Sequence, residues 1–267
     1  MSAPQSGDSG FEPLQQLERG IAVLQVFSRE HPALTLSEVA RLTDINRATA
    51  RRILLTLQEL GHVRSDGRQF SLTPRVLNLG WGYFSSLGLD EVARPLMQDL
   101  VAAVEESVSL ATLDLPDIVY LARVHTRHIM TVAGGVGSRL PAHATGIGRV
   151  LLAGLDDAAL DRYLAGGPFT PYTPRTVTDP EQLREELADV RKAGWALLDQ
   201  ELEIGLRAIA APVVDAAGRP VAGLSISSAS GRTSLQDLTT RCLPRLLETA
   251  EEISVAVARG VGRAAGA

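Results

Sequence analysis

Apolar positions recur at helical spacing in the first third of the chain, give way to short alternating runs in the middle, and return to helical spacing at the end. Over residues 14–29, Leu17, Ile21, Leu24 and Phe27 make the stripe of a first helix that packs on its neighbours, and Pro32 helps to end it. Thr35 and Glu38 have the spacing of a capping box, in which each side chain satisfies a free amide, so a short helix is predicted over 36–42. Asn46 then caps a third helix whose buried stripe is Ala50, Ile53, Leu54, Leu57 and Leu60. Runs 62–65 and 69–72 flank Asp66-Gly67, the dipeptide that favours a tight hairpin. After Pro74 the segment 76–89 carries Leu77, Leu79, Trp81, Tyr83 and Phe84. It is too apolar for a free linker and reads as a connecting helix buried against a partner chain or a second domain.

A helix over 90–106, disturbed near Pro95, opens the remainder. Strand patterns follow at 108–113, 118–124 and 129–132, the first two joined as a hairpin by Leu115-Pro116-Asp117. Gly134, Gly135 and Gly137 mark a loop, and helices are predicted at 147–155 and 157–165. Residues 166–178 read as loop. An amphipathic helix over 179–193 has Asp179 as cap and Pro180 at its first position. Strands at 195–198, 206–214 and 221–227 and a helix over 235–259 complete the chain. About six strands, mostly hairpin-linked and with helices before, between and after them, make an α+β fold with an antiparallel sheet. The expected organisation is a disordered tail (1–13), a winged helix-turn-helix domain (14–75), a linker helix (76–89), a sensor-like domain (90–260) and a second disordered tail (261–267).

Charge sharpens this picture. Residues 14–75 hold nine Arg and six acidic residues, a net of +3, in a chain of net −5, so the basic character is local to the first domain. In the third helix Arg47, Ala48, Thr49, Arg51, Arg52 and Thr56 form the polar face, most of it in the first turns. Arg64 and Arg68 lie on the hairpin. A short helix, a tight turn, a basic second helix and a wing, in that order, make an arrangement that enters a DNA major groove, with the wing near phosphates. The bland reading, a trihelical core with a solvated basic face, does not account for the order of these features.

Other classes are excluded. At 45% hydrophobic and 21% charged residues, the 267-residue chain is expected to be globular, with length for two cores. Its single cysteine, Cys242, rules out an internal disulfide and argues against structural zinc. No run approaches the roughly 20 apolar residues of a membrane span, and residues 1–13 lack the features of a signal peptide, so a cytoplasmic location is expected. Gly146-Ile147-Gly148 follows no strand of a βαβ unit and precedes no Gly-Lys-Ser/Thr, so it is no nucleotide loop. It does supply free amides at a helix start, a seat for a carboxylate. Ser225 and Ser227 share one face of a strand, and Asp199, Glu201 and Glu203 alternate on an extended stretch. The histidines, His143 among them, fit no metal spacing. No nucleophile elbow is present, and no cofactor or metal is expected.

The run Leu17-Glu18-Arg19-Gly20 leading into the winged helix resembles the IclR family of bacterial transcriptional regulators. Residues 139–153, with Leu-Pro-Ala-His-Ala-Thr-Gly-Ile-Gly-Arg-Val-Leu-Leu-Ala, are similar to that family's effector-domain signature, and residues 199–213 to its second signature. Tyr120-Leu121-Ala122-Arg123-Val124 and Arg127-His128-Ile129-Met130 are most similar to the branch governing aromatic-acid catabolism through protocatechuate and β-ketoadipate. The resemblance implies a GAF-like effector domain, a small carboxylic acid such as β-ketoadipate or protocatechuate as effector, a palindromic operator in double-stranded DNA, and a homodimer or tetramer. It further implies effector contacts at Gly146, Ile147, Asp199, Ala208, Ser225 and Ser227. Ala208 stands where some relatives carry a polar side chain. Arg123 and Arg139 are added as the nearest fixed cations for a dicarboxylate, and His143 as a wall of the entrance.

Two function classes compete: a ligand-responsive transcription factor, and an enzyme acting on a small organic acid with an attached DNA-binding module. The lack of a paired nucleophile and base favours the first. A third reading, a nucleoid-like DNA binder without effector, requires a second domain that has no pocket.

Overall fold

In the computed structural model, residues 13–28, 30–80, 82, 90–126 and 135–264 are described. The chain forms two compact units that divide between Gly82 and Tyr83, inside the stretch expected to link them.

In the first unit α1 (Gln15–Gln25), α2 (Leu36–Leu42) and α3 (Arg47–Glu59) surround a core of Val23, Val39, Ala50, Leu54, Leu57 and Val63. The capping box is formed: the Glu38 carboxylate accepts from the Thr35 amide at 2.7 Å, and Thr35 Oγ1 accepts from the Glu38 amide at 3.4 Å. Asn46 caps α3, its Oδ1 accepting from the Thr49 amide at 2.8 Å. The wing is an antiparallel pair, β2 (Val63–Ser65) and β3 (Gln69–Leu72), turned by Asp66 and by Gly67 at φ 95°. A two-residue strand, β1 (Leu34–Thr35), adds to the outer side of β3; sequence spacing gave no sign of it. One expectation is corrected. Helix α1 ends at Gln25, and Leu17 and Ile21 face solvent at 62% and 47% exposure while Val23 and Phe27 enter the core. Residues 77–80 and 82 of the connecting segment are helical, whereas Trp81, Tyr83 and Phe84 lie outside the described residues.

The second unit is a six-stranded antiparallel sheet covered on both faces. Its strands are β4 (Ser107–Asp114), β5 (Asp117–Val124), β6 (Arg139–Pro141), β7 (Ala196–Asp199), β8 (Leu206–Val214) and β9 (Pro220–Ala229), in spatial order β6-β5-β4-β9-β8-β7. One face packs Val108, Leu110, Ile209, Leu224 and Ile226 under α4 (Asp90–Val104) and α8 (Leu243–Ala264). The other packs Ile118, Ala111 and Ala210 under α5 (Gly146–Ala153), α6 (Asp157–Leu164) and α7 (Pro180–Ala193). Period-two alternation sends neighbouring side chains to opposite cores, so Ser225 and Ser227 share the α5 face while Leu224 and Ile226 take the other.

One strand of the sheet, β6, was not anticipated. The strand expected over 129–132 lies outside the described residues, and β6 comes from a stretch just after the glycine loop to which sequence spacing assigns no element. It is three residues long and ends in Pro141, which suits an edge with no further partner to bond. Pro95 does not end α4. The last helix is preceded by a π turn at Leu238–Cys242 and continues to Ala264, past its expected end and into the stretch expected to be a disordered tail.

Candidate functional site

Two surfaces carry the residues singled out by sequence. On the first unit Arg47, Ala48, Arg51, Arg52 and Thr56 of α3 and Arg64 and Arg68 of the wing are exposed, and Thr49 is half-buried. An open groove of about 740 Å³ runs between α3 and the wing, with Arg47, Arg51, Gln58 and Arg68 on its walls. Among the described residues none of the five arginines forms an ion pair with a protein carboxylate, which leaves their charge for an anionic partner. Arg64 is aimed by Ser71, whose Oγ accepts from its Nε at 3.1 Å. Arg52, Ala48, Thr49, Thr56 and Arg64 lie outside the groove lining.

On the second unit one cavity, about 30 Å³, opens between the sheet and the start of α5. It brings together Arg123 from β5, Gly146 and Ile147 from α5, Ala208 from β8, and Ser225 and Ser227 from β9. The register explains the floor: Ser227 lies opposite Ala208, and Ser225 opposite Ala210 and Ser109. Ser109, fully buried, has a hydroxyl that meets no partner among the described residues. Thr145 caps α5, accepting from the Gly148 amide at 3.2 Å. The Gly146 and Ile147 amides donate to no acceptor among the described residues although both residues are buried. Two unsatisfied buried donors at a helix start hold partial positive charge toward the cavity. The glycines serve different ends. A Cβ on Gly148 would sit 2.0 Å from the Ala142 carbonyl oxygen, so that position must lack one, whereas a Cβ on Gly146 would come no nearer than 3.2 Å, to Ala210 Cβ.

Three expected contacts are not at the cavity. Arg139 lies on the edge strand, bonded to Asp114 at 2.5 Å and Asp117 at 3.1 Å, so the β4–β5 hairpin already neutralises it. His143 is buried under Phe169, ring centroids 4.9 Å apart, and its Nε2 meets the Thr170 carbonyl at 3.1 Å. Burial pushes its pKa down, so it is neutral packing rather than an entrance wall. Asp199 is taken by Arg207 at 2.6 Å and by Arg175, and the Arg207 hydrogen bond holds its carboxyl below the usual carboxylate range.

The carboxylate that does line the cavity is Glu201. Its Oε2 accepts from Arg149 Nη2 at 2.7 Å, and burial pushes its pKa up against the opposing pull of that cation. Arg149 is 2% exposed and holds two further acceptors: Nε donates to the His143 carbonyl at 2.5 Å and Nη1 to Glu186 at 2.5 Å. Tyr120 also faces the cavity, with the Arg123 guanidinium 4.9 Å from its ring centre. Sequence reading passed over Tyr120, Thr145, Arg149 and Ser109. The signal for Ser109 was its position in a strand alternating Ser107, Ser109, Ala111 against Val108, Leu110.

Family models match along both units: an IclR helix-turn-helix domain over residues 16–67, and the C-terminal domain of bacterial transcriptional regulator IclR over 81–255. The Pca regulon regulatory protein of Pseudomonas putida is 42% identical over 249 residues, 93% of this chain and 85% of that one. A solved chain from Rhodococcus sp. RHA1 is 49% identical, with a TM-score of 0.82 over 92% of this chain and 99% of its own. An IclR homologue from Microbacterium hydrocarbonoxydans, solved in complex with 4-hydroxybenzoate, is 28% identical, with a TM-score of 0.81 over 91% and 98%.

Proposed function

The chain belongs to the IclR family of bacterial transcriptional regulators, and on that premise we propose that it controls genes of aromatic-acid catabolism by binding an operator in the cytoplasm and releasing or tightening it when a small carboxylic acid enters the β-sheet cavity. The observation that carries the proposal is the convergence of Arg123, the free amides of Gly146 and Ile147, and the Ser225 and Ser227 hydroxyls on one cavity. Donors from a β-strand, a helix start and the sheet floor surrounded by apolar walls suit a small organic anion. Protocatechuate and β-ketoadipate are candidate effectors by family resemblance, and 4-hydroxybenzoate by the complex of the Microbacterium homologue.

The cavity has about 30 Å³ open, well short of the roughly 150 Å³ that holds benzene in a protein interior. Ring-sized acids therefore enter by displacing a wall. The turn after β7 is the part with least to lose: Leu202 faces the cavity, Ile204 is 62% exposed, and the backbone reverses at Gln200 and Gly205, both at positive φ. Wall displacement is a structural difference between empty and filled states, which an effector needs in order to shift an equilibrium. Catalysis has no support here, since Glu201 is tied to Arg149 and His143 is packed neutral.

Operator contact falls to Arg47, Thr49, Arg51, Arg52 and Thr56 on α3, with Arg64 and Arg68 placing the wing on phosphates. A single reading head spans few base pairs, so a palindrome read by two copies is the expected target. The exposed apolar residues at the start of α1, its N-cap Leu14 with Leu17 and Ile21 at 74%, 62% and 47% exposure, are a candidate face for that pairing. Electrophoretic mobility shift on DNA upstream of the protein's own gene tests the proposal. A complex whose midpoint moves when protocatechuate, 4-hydroxybenzoate or β-ketoadipate is added supports it, and a complex indifferent to all three refutes it.

A further inference from the structure

The polar groups of the cavity are distributed unevenly, and their placement sets which acids fit. Arg123 belongs to β5, while Glu201 follows β7. In the order β5-β4-β9-β8-β7 those strands are four steps apart, each about 4.8 Å along an ideal sheet. One wall is thus cationic and the far wall anionic. The start of α5 lies over β8, since the Cβ direction of Gly146 points at Ala210 and Ala208, 3.2 and 3.7 Å away. The free amides therefore stand on the Glu201 side of the slot. Arg149, one turn along α5, fastens Glu201 to the same helix.

Every hydrogen bond given to the Glu201 side chain falls on Oε2, from Arg149 at 2.7 Å and the Val177 amide at 3.4 Å. Among the described residues Oε1 accepts none. Arg149 does not line the cavity, and its Nε and Nη1 are turned to the His143 carbonyl and Glu186. A ligand group at this end meets two amide donors and one carboxylate acceptor. A carboxylate satisfies the amides but is repelled by Glu201 and covers it at a desolvation cost. An apolar group satisfies neither. A hydroxyl accepts from the amides and donates to Glu201.

Building on the cavity assignment above, we propose that Glu201 determines effector specificity by reading a ring hydroxyl: the hydroxyl of a hydroxybenzoate-type acid sits between the Gly146 and Ile147 amides and Glu201, and its carboxylate points to the Arg123 wall. A linear dicarboxylate such as β-ketoadipate is disfavoured by this arrangement, because its second carboxylate meets Glu201. Burial raises the Glu201 pKa, so repulsion of a second carboxylate weakens as pH falls and the carboxyl takes a proton. The charged groups beside it are Arg149 on α5 and Glu186 on α7, and Tyr120 and Arg123 on β5 line the opposite wall of the same cavity.

Isothermal calorimetry on the full chain with benzoate, 4-hydroxybenzoate and terephthalate tests the assignment without any mutation. The three differ only at the ring position opposite the carboxylate. Wild-type protein is expected to bind 4-hydroxybenzoate at least about ten-fold more tightly than benzoate, a discrimination ordinary for a site built around a hydroxyl, and terephthalate more weakly than either. In Glu201→Gln, Arg149 requires an acceptor, so the amide oxygen faces Arg149 and the NH₂ faces the cavity. That variant is expected to lose the preference for hydroxyl over hydrogen and to gain affinity for terephthalate. Equal binding of the three acids by wild type overturns the Glu201 assignment while leaving the cavity in place. No binding of any of them overturns the cavity reading and this inference together.

Discussion

Replacing Arg149 with Met keeps an unbranched stem of similar reach and removes the guanidinium, leaving three acceptors without their donor. Glu186, with a side chain 38% exposed, can turn to water, so its loss matters little. Glu201, 11% exposed on its side chain, remains buried as an uncompensated carboxylate, and the His143 carbonyl loses a charge-assisted bond. Removing one partner of a buried pair costs about 3–5 kcal/mol, and the partial opening of Glu201 to the cavity places the expected loss near the lower end, about 3 kcal/mol at pH 7. Without Arg149 only the Val177 amide opposes the effect of burial on Glu201, and Glu186 adds to that effect, so its folded pKa rises further above the unfolded value of about 4.3. A carboxyl with a raised folded pKa destabilises the fold above that pKa, and the penalty disappears as pH falls to the unfolded value. Urea unfolding of wild type and Arg149→Met at pH 7 and pH 4.5 should show the gap narrowing at the lower pH. A gap below about 1 kcal/mol at pH 7, the size of an exposed ion pair, or one that ignores pH, would refute the reasoning.

The two glycines before Arg149 should respond oppositely to a methyl group. Gly148→Ala, whose Cβ would overlap the Ala142 backbone, is expected to cost about 2–3 kcal/mol or more, whereas Gly146→Ala, with 3.2 Å to Ala210 Cβ, should stay within about 1 kcal/mol; similar melting shifts for both would contradict this. Arg51→Ala and Arg52→Ala should each weaken operator binding by about 1–3 kcal/mol if they reach a base. Arg68→Ala should weaken all DNA alike and flatten the salt dependence, and fluorescence anisotropy titrations over a salt series separate the two behaviours. Leu17→Glu/Ile21→Glu should leave the fold intact, because both residues face solvent, but abolish self-association. Sedimentation at micromolar concentration showing wild type as a 28.5 kDa monomer would remove the basis for that pairing.

What was legible in the sequence is what local chemistry decides. The capping box at Thr35, the Asn46 cap and the Asp66-Gly67 turn each act within four residues, and the winged helix follows from them. Ser225 and Ser227 were paired on one face by strand alternation alone. The failures are non-local. Arg139 looked like a free cation because Asp114 and Asp117 reach it only when β6 docks beside β5. Asp199 and Glu201 looked like neighbours on one face because the stretch reads as extended. The strand ends at Asp199 and the backbone reverses at Gln200, φ 65°, which sends Asp199 to Arg207 and Glu201 into the cavity. In α1 two apolar stripes share Leu24, and periodicity cannot say which one a core will cover.

Calorimetry of 4-hydroxybenzoate with wild type and with Ser225→Ala/Ser227→Ala tests the central claim, that an acid held in the cavity over the sheet governs operator binding. The two serines lie on the cavity floor and the substitution removes only hydroxyls, so folding and unliganded operator affinity should be unchanged. We predict that the variant loses acid binding by about ten-fold or more, two hydrogen bonds to a charged ligand being removed, and loses the operator response in parallel. Wild-type acid affinity in the serine variant would place the effector elsewhere and contradict the account.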